Sequence, residues 1–476
     1  MLSPLDLWQS GVIALDVAAA SYAGRAGVLA RQRRRLAALL VHATEHSALV
    51  RERLGRRDPT TTPLTDIAPV SKAELMHRFA HWVTDPRLEL KALREFAADP
   101  ALIGQACPGG HLLWTSSGSS GEPALFVQDA EALAVYDALE ALRRPRLRPF
   151  SGWMGERVAF VGATTGHFAS TVSLERLRRL VPGAASLLRG FSFLQPTPQL
   201  LRELEAFAPS VLATYPTVAL LLAEELRAGR TKLQLAEVWT GGETLTHGMR
   251  AAIEQAFGCR VGNSYGASEF LALASECRLG VLHLNADWAI LEAVDEHYAP
   301  VPDGQAGHTC LLTNLANRLQ PLIRYDLGDR ITLHAEPCAC GSPLPALDVE
   351  GRCDELLVLR DGRGASQRLA PLALTTVIED DAGVFAFQLE QSHADALFLR
   401  IAEGGASGQR ALAKAQQALR RYLAQQGLAN VRLEGASGMP PERASSGKQC
   451  RVLGPSRAVR GGRRAPAPRG SRKPSA

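Results

Sequence analysis

The sequence predicts an α/β protein in which a large N-terminal domain contains mostly parallel sheets covered by helices, and a small C-terminal domain is α+β. The chain has 476 residues, which is enough for one large core and a second, smaller one. Its composition, 46% hydrophobic and 21% charged, is that of an ordinary globular protein. Short apolar runs alternate with amphipathic stretches after the first hundred residues, and this pattern is typical of parallel strands with covering helices.

The apolar runs predict individual strands, with helical patterns between them at Thr217–Ala228 and His247–Phe257. The predicted strands are Arg157–Val161, Ser210–Thr214, Glu237–Thr240 and Arg260–Asn263. Parallel sheets of this kind bind their ligands at the carboxyl ends of the strands. We therefore expect the functional residues in the segments that follow these runs.

Composition shifts divide the chain into three predicted segments. Residues 1–353 form the large domain, which begins with a helical segment and includes a short helix capped by Ser71, with Glu74 three positions later. Residues 354–455 form the small domain, with a helix at Gln409–Gln426. Residues 456–476 form a basic tail that is rich in Pro, Gly and Ser, and we expect it to be disordered.

The net charge of the chain is +5, and it is positive because of this tail, which carries seven basic residues and no acidic one. Subtracting those seven charges leaves −2 for the rest of the chain, so the folded part is close to neutral. No aromatic residue is interleaved with the basic ones, and we expect no specific nucleic-acid partner. No apolar run approaches the ~20 residues of a membrane span, so no membrane partner is expected either.

The eight cysteines are spread unevenly over the chain, and no secretory signal pattern precedes them. This distribution predicts a cytoplasmic, reducing environment, in which cysteines are core residues or metal ligands more often than disulfides.

The segment after Leu112–Trp114 is a run of small hydroxylated and glycyl residues, and Leu125–Val127 follows it. The run comprises Thr115, Ser116, Ser117, Gly118, Ser119, Ser120 and Gly121. Such residues expose backbone N–H groups and hydroxyls that can approach a phosphate chain closely. A flexible linker is the alternative, but the two flanking apolar segments predict a hairpin. No lysine follows the glycines, so this is not the common P-loop pattern.

This turn resembles the phosphate-binding motif of the adenylate-forming superfamily, which includes the acyl-CoA synthetases. The resemblance implies ATP and Mg²⁺ as ligands, and it extends to the segment that follows the predicted strand at 260–263. By resemblance, Tyr265 stacks on adenine with Gly266 beside it in the nucleotide site, Ser268 contacts the α-phosphate, and Glu269 holds Mg²⁺. The chemistry is reasonable without the family, because an aromatic face suits a purine and a carboxylate suits a hard cation.

Gly241, Gly242 and Glu243 end a predicted strand, where paired glycines allow a flat base to lie against the backbone, and a simple strand–helix turn is the alternative. Three further motifs are similar to those of the superfamily. By resemblance, Asp329 accepts hydrogen bonds from the ribose hydroxyls and Arg352 reaches ribose or phosphate. Asp354 is implied as the hinge of a mobile small domain. Lys448, in a Ser-Gly-Lys segment, is implied as the catalytic cation that offsets charge between the carboxylate and the α-phosphate.

A second set of residues is similar to the phenylacetate–CoA ligase branch. Cys277 and His283 lie in one short segment, and Cys338 and Cys340 lie in a Cys-x-Cys-Gly turn. Three thiolates and one imidazole are a donor set for a closed structural Zn²⁺ site, and the alternative is buried, inert thiols.

The predicted function is therefore ATP-dependent activation of a carboxylic acid, of an aryl or arylacetic type by branch, to an acyl-AMP, followed by thioester formation with CoA. The sequence departs from the CoA ligases at one point, because the region 361–371 lacks the asparagine that they carry there. The prediction of acyl-AMP formation is therefore better supported than the prediction of thioester formation. The acceptor alternatives are a carrier-protein thiol or an amine. A non-catalytic nucleotide-binding homologue is the alternative of a different class.

Overall fold

A computed structural model describes residues 7–116, 123–144, 156–180, 183–350, 357–440 and 451–454. The chain divides between positions 353 and 354 into two compact units. Within the described ranges, no helix combines the length and apolar character that crossing a membrane requires.

Twelve helices lie in the described part of the first unit. They are α1 (Leu7–Ala20), α2 (Gly24–His46), α3 (Ala48–Leu54), α4 (Lys72–His77), α5 (Phe79–Trp82), α6 (Leu90–Ala97), α7 (Ala130–Arg143), α8 (Ala169–Leu180), α9 (Ala184–Leu187), α10 (Thr197–Phe207), α11 (Pro216–Arg227) and α12 (His247–Phe257). The predicted capping residue Ser71 accepts a hydrogen bond from the backbone N–H of Glu74 and begins α4. Thr246 caps α12 in the same way, and Gly258 ends it in the left-handed region with φ of 66°.

Fourteen strands lie in the described part of the first unit. They are β1 (Leu112–Thr115), β2 (Leu125–Gln128), β3 (Val158–Gly162), β4 (Leu188–Ser192), β5 (Val211–Thr214), β6 (Glu237–Gly241), β7 (Arg260–Ala267), β8 (Phe270–Glu276), β9 (Leu282–Leu284), β10 (Ala289–Val294), β11 (Thr309–Asn314), β12 (Tyr325–Asp326), β13 (Arg330–Leu333) and β14 (Ala346–Glu350). The predicted strands and helices between 157 and 263 are all present, with ends shifted by a few residues.

Nine of these strands form one sheet in the order β13-β14-β9-β8-β7-β6-β5-β3-β4. The strands from β4 to β7 pair in parallel, as predicted, and helices connect them. The strands from β7 to β13 pair antiparallel, because the chain turns back tightly from β7 to β8 and again to β9. The predicted α/β class is confirmed, while the parallel arrangement is limited to one half of the sheet.

Two smaller sheets complete the first unit. The hairpin β1–β2 is antiparallel, and β10, β11 and β12 form a three-stranded antiparallel sheet. A buried cluster that includes Trp82, Trp114, Tyr136 and Phe270 packs between these sheets and the covering helices. Trp114 and Tyr136 therefore hold the hairpin against the core, and this fixes where its turn begins.

The described part of the second unit contains β15 (Leu357–Arg360), β16 (Ser366–Leu369), α13 (Pro371–Thr376), β17 (Phe387–His393), β18 (Ala396–Ile401), α14 (Gly405–Gln425), β19 (Arg432–Ser437) and β20 (Val452–Leu453). Strands β15 and β16 form a hairpin, and the other four form a sheet in the order β19-β18-β17-β20. Leu419 and Leu423 of α14 are buried, as are Leu397 and Leu399 of β18, so the helix covers one face of this sheet. The predicted helix at Gln409–Gln426 corresponds to α14.

Candidate functional site

The predicted phosphate turn begins and ends on a well-formed hairpin. The backbone N–H of Ser116 donates to the carbonyl of Ala124 at 2.9 Å, and the Ala124 N–H donates to the Ser116 hydroxyl oxygen at 3.0 Å. The N–H of Thr115 donates to the carbonyl of His167 at 2.7 Å, which joins the hairpin to the connection after β3. The predicted residues from Ser117 to Gly121 lie outside the described residues.

A tryptophan side chain connects this hairpin to the next predicted motif. The indole Nε1–H of Trp114 donates to the backbone carbonyl of Ser268 at 2.7 Å, across a sequence separation of 154 residues. Trp114 is fully buried, so the bond is shielded from water. The base of the phosphate turn and the predicted residues Ser268 and Glu269 therefore lie side by side.

Tyr265 and Asp329, predicted to bind adenine and ribose, are in direct contact. The hydroxyl of Tyr265 donates to Oδ2 of Asp329 at 2.8 Å. Burial raises the pKa of Tyr265 well above its ordinary value, and the charge of Asp329 contributes in the same direction, so the phenol stays protonated as the donor. A carboxylate can accept several hydrogen bonds, so Asp329 can accept from Tyr265 and from other donors at the same time.

Gly266 is required by close packing of the backbone at this point. A Cβ atom on Gly266 would lie 2.0 Å from the carbonyl oxygen of Leu271, on the antiparallel neighbour β8. The predicted motif at 263–267 thus lies inside strand β7 and its bulge, rather than after the strand as expected. The sharp turn that follows β7 carries Ser268 and Glu269.

Glu269, the predicted Mg²⁺ ligand, is a buried carboxylate with a phenol donor. The hydroxyl of Tyr325 donates to its Oε1 at 2.8 Å, and Asn314 Nδ2 donates to its backbone carbonyl at 2.9 Å. Burial raises the pKa of Glu269, while the Tyr325 hydrogen bond and the charge of Lys72 lower it. A cation close to Glu269 would stabilise the ionised form of this carboxylate, so the buried oxygens suit a metal ligand.

Sequence reasoning missed Tyr325 and Lys72 as parts of this site. Tyr325 lies in the same short motif as Asp329, and Lys72 begins α4. The two approach each other because the backbone N–H of Val70 donates to the Arg324 carbonyl at 3.0 Å and the Asp326 N–H donates to the Val70 carbonyl at 3.0 Å. Tyr325 could have been found from the sequence, because it is a polar residue close to the recognised Asp329. The segment Pro69-Val70-Ser71-Lys72 is similar to the phenylacetate–CoA ligase branch, but that similarity gave Lys72 no role.

The turn after β6 is held by the carboxylate of Glu243. This carboxylate accepts from the backbone N–H of Thr217 at 3.1 Å and from its hydroxyl at 2.8 Å, and so caps the first turn of α11. Gly242 has φ of 78°, and a Cβ there would meet the ring of Tyr215 at 3.1 Å. A Cβ on Gly241 would meet the Ser264 hydroxyl oxygen at 3.0 Å, so close packing favours glycine at both positions, and the Glu243 side chain is directed at the helix.

The four predicted zinc ligands converge where the β8–β9 turn and β9 meet the connection between β13 and β14. The ligand atoms of Cys277, His283, Cys338 and Cys340 all lie within 4.8 Å of one another. Nδ1 of His283 is 2.9 Å from the carbonyl of Leu344, so it is the protonated nitrogen and Nε2 keeps its lone pair. Burial lowers the pKa of His283, which favours the neutral imidazole that binds metals. The backbone N–H of Leu279 donates to the Cys277 sulfur at 3.4 Å.

Besides Ser117 to Gly121, the predicted site residues Arg352, Asp354 and Lys448 lie outside the described residues. The described ones fall into three groups. Thr115, Ser116, Tyr265, Gly266, Ser268, Glu269 and Asp329 gather around the hairpin and the turn after β7. Gly241, Gly242 and Glu243 lie at the end of the neighbouring strand β6, where Gly241 pairs with Ser264, and the four metal-ligand candidates form a separate cluster.

The fold and the sequence both resemble CoA ligases. The chain shares its fold with 2-hydroxyisobutyryl-CoA ligase, in a crystal structure in complex with 2-HIB-AMP and CoA in the thioesterification state, at 20% identity and a TM-score of 0.55, with 90% of each chain covered. A second structure of that ligase, in the postadenylation state with 2-HIB-AMP, matches at 21% identity and a TM-score of 0.52, again with 90% of each chain covered.

In sequence, the chain is similar to phenylacetate-coenzyme A ligase from Thermus thermophilus, with 28% identity over 256 residues, which are 52% of this chain and 55% of that protein. Protein CapK from Staphylococcus aureus is 30% identical over 138 residues, or 29% of each chain. The chain thus spans about half the length of the phenylacetate-coenzyme A ligase that it matches. No protein-family model matches the chain. The predicted resemblance to the phenylacetate–CoA ligase-like branch of the adenylate-forming superfamily is confirmed.

Proposed function

We propose that the chain is an AMP-forming ligase that uses ATP to activate a carboxylic acid as an acyl-AMP and then transfers the acyl group to CoA. The observation that carries the proposal is the contact between Tyr265 and Asp329 at 2.8 Å, with Glu269 and Ser268 on the adjoining turn. The predicted nucleotide-binding motifs that contain Tyr265 and Asp329, two residues 64 positions apart, are thereby in direct contact.

Each described residue has a role that its contacts support. The Tyr265 hydroxyl is engaged by Asp329, so the ring is held in one orientation and offers its face to the adenine base. The carboxylate of Asp329 accepts from a ribose hydroxyl. Glu269 would hold Mg²⁺, which when bound neutralises phosphate charge. Ser116 and the remaining predicted turn residues would donate to the β- and γ-phosphates.

Three of the proposed roles belong to residues that the structure does not describe. Lys448 places its cation where charge develops as the substrate carboxylate attacks the α-phosphorus and pyrophosphate leaves. Arg352 binds ribose or phosphate, and Asp354 is the hinge about which the small domain turns between the two half-reactions. These roles rest on the similarity of the three short motifs to those of the superfamily.

CoA is the acceptor that the comparisons favour, because a crystal structure of 2-hydroxyisobutyryl-CoA ligase with the same fold contains both an acyl-AMP and CoA. A carrier-protein thiol has no comparable support. The acid is an aryl or arylacetic one by branch, in line with the similarity to phenylacetate-coenzyme A ligase.

The test is ATP–pyrophosphate exchange and AMP release across a panel of carboxylic acids, with and without CoA. We expect exchange that depends on the acid, and AMP turnover that requires CoA. Lys448→Ala should reduce exchange by about 10²-fold or more. Lys414→Ala changes an exposed lysine of α14 in the same unit and should have no effect. Exchange near the wild-type rate in Lys448→Ala would remove that residue from the mechanism, and no exchange with any acid would reject the function.

We infer further that Cys277, His283, Cys338 and Cys340 bind a structural Zn²⁺. The donor chemistry fits, since the four ligand atoms lie within 4.8 Å of one another and the His283 tautomer leaves Nε2 available. Elemental analysis of the purified protein should give about one zinc per chain. Cys340→Ser should lower that content and the melting temperature, whereas Cys107→Ser, at a buried cysteine outside the cluster, should keep the zinc. A zinc-free protein with reactive cluster thiols would contradict the inference.

A further inference from the structure

The hairpin β1–β2, which carries the predicted phosphate turn, is bordered on one edge by amide side chains. Among the described strands it forms a sheet of only two, so the outer backbone groups of β2 need other partners. Oε1 of Gln320 accepts from the N–H of Val127 at 2.6 Å, and Nε2 of Gln320 donates to the carbonyl of Leu125 at 3.1 Å. Nδ2 of Asn317 donates to the carbonyl of Val127 at 2.8 Å. These two side chains therefore take the place of a third strand.

A third amide of the same segment holds the turn after β7. Asn314 ends β11, and its Nδ2 donates to the backbone carbonyl of Glu269 at 2.9 Å. Asn314, Asn317 and Gln320 are 0%, 2% and 1% exposed, so water does not compete for their hydrogen bonds. The short segment 314–320 thus contacts both the hairpin and the turn that carries the predicted Mg²⁺ ligand.

The orientation of the two asparagine amides is fixed by the turns that they form. Oδ1 of Asn314 accepts from the backbone N–H of Ala316 at 2.9 Å and of Asn317 at 3.2 Å. Oδ1 of Asn317 accepts in the same way from Leu319 at 2.9 Å and from Gln320 at 3.1 Å. Because each oxygen is engaged by the local backbone, each Nδ2 is directed at the hairpin or at the turn, and exchanging oxygen and nitrogen would break both sets of bonds.

The segment connects the hairpin to the site on the side opposite to Trp114. The indole of Trp114, on β1, donates to the carbonyl of Ser268 at 2.7 Å, whereas the amides contact β2. A single link from β1 would leave the hairpin free to pivot, and links from both strands fix its orientation against the turn. The segment is itself anchored, since the indole of Trp82 donates to the carbonyl of Pro321 at 2.9 Å.

We propose that Asn314, Asn317 and Gln320 are positioning residues for the phosphate chain of ATP. The inference rests on the proposed function, in which the turn of the hairpin binds the β- and γ-phosphates and Glu269 holds Mg²⁺. Both groups act on the same phosphate chain, so an error in their separation weakens binding of the triphosphate and slows its reaction. Adenine and ribose would be bound by other residues, and a nucleotide without the two outer phosphates should not depend on the contacts to β2.

The test is calorimetric binding of MgATP and of AMP to the full chain. Asn317→Ala and Gln320→Met each remove amide contacts to β2. We expect both variants to bind MgATP about tenfold or more weakly, while the dissociation constant of AMP changes by less than about twofold. Asn285→Ala is the matched control, because the Asn285 amide is 1% exposed and donates to the carbonyl of Ala272 on β8 at 2.6 Å. That variant should bind both nucleotides as the wild type does.

The ratio of the two dissociation constants separates positioning from general loss of structure. AMP binding reports that a variant is folded, and Gln320→Met keeps the length of the side chain, so this variant tests the inference even if Asn317→Ala does not fold. An unchanged ratio in Gln320→Met would overturn the inference and leave the proposed function intact. An equal change in Asn285→Ala would also overturn it, because the effect would then come from a loosened core. Wild-type protein that binds neither nucleotide would reject the proposed function itself.

Discussion

Replacing Tyr325 with phenylalanine removes one hydroxyl from the buried contact with Glu269. Tyr325 is 2% exposed and Glu269 is 9% exposed, so water does not readily take the place of the lost donor. A hydrogen bond to a charged group contributes about 1.5–3 kcal/mol, and a buried contact of 2.8 Å belongs well within that range. We expect the variant to be destabilised by about 2 kcal/mol at pH 8.

The loss should depend on pH, and the sign follows from the protonation of Glu269. Burial raises the folded-state pKa of Glu269 above its ordinary value of 4.5, so the folded protein holds this proton more tightly than the unfolded chain. Stability therefore falls as pH rises from the unfolded pKa through the folded one. Tyr325 limits this fall by donating to the ionised form. Without it the folded pKa rises further, and the extra loss grows with pH and is smallest near pH 5.

Urea unfolding at pH 5 and pH 8, followed by tryptophan fluorescence, measures this difference. Tyr136→Phe is the matched control, because the Tyr136 hydroxyl is also buried but contacts the neutral amides of Gln128 and Asn314. That control should lose about 1 kcal/mol at both pH values. An equal loss in Tyr325→Phe at the two pH values would refute the link to ionisation of Glu269. In activity assays, the acidic limb of pyrophosphate exchange should move to higher pH in Tyr325→Phe and stay in place in Tyr136→Phe.

Two further predictions concern other contacts of the first unit. Asp329→Asn should weaken ATP binding by about tenfold in calorimetry, since the Tyr265 hydroxyl keeps a partner while the charged acceptor for ribose is lost; unchanged affinity would place the nucleotide elsewhere. Arg143→Ala should destabilise the protein by about 3–5 kcal/mol in urea unfolding, because it leaves the fully buried carboxylate of Asp287 without its main partner. Arg143 donates to that carboxylate through two hydrogen bonds of 2.6 and 2.7 Å. A loss below about 1 kcal/mol would mean that this pair is well solvated.

The local parts of the fold could be predicted from the sequence because their signals are local. Helix α12 runs over His247–Phe257 as predicted, since Thr246 supplies the cap and Gly258 the left-handed terminus. The apolar runs that became β3, β5 and β6 are interior strands of the sheet, where continuous hydrophobic sequence is expected. The hairpin that carries Thr115 and Ser116 followed from two apolar segments around a turn.

The antiparallel half of the sheet could not be predicted in this way. The direction of β8 depends on a tight turn after β7, and the strand periodicity is the same in parallel and antiparallel pairs. The contact between Tyr325 and Glu269 spans 56 residues, and it forms because Asn314 and Val70 place neighbouring strands beside the turn. Motif similarity located the acids, whereas their protonation and donors required the three-dimensional arrangement.

The position of the metal-ligand cluster has a consequence for Asp329. Strand β14 joins the rest of the sheet through a ladder of only two residue pairs with β9, Ala346 with His283 and Leu347 with Leu282. The other side of β14 pairs with β13, which begins directly after Asp329. The backbone N–H groups of Gly304 and Gly307 also donate to the carbonyls of Leu333 and Ile331 at 2.7 and 3.0 Å, so other segments of the unit hold this hairpin as well. The cluster of three cysteines and a histidine adds a side-chain link beside the short ladder. Glu269 does not depend on that link, because Asn314 and Tyr325 hold it from the three-stranded sheet. A metal bound there would cross-link the β8–β9 turn to the connection between β13 and β14, on the hairpin that follows Asp329, and would not touch the turn that carries Glu269.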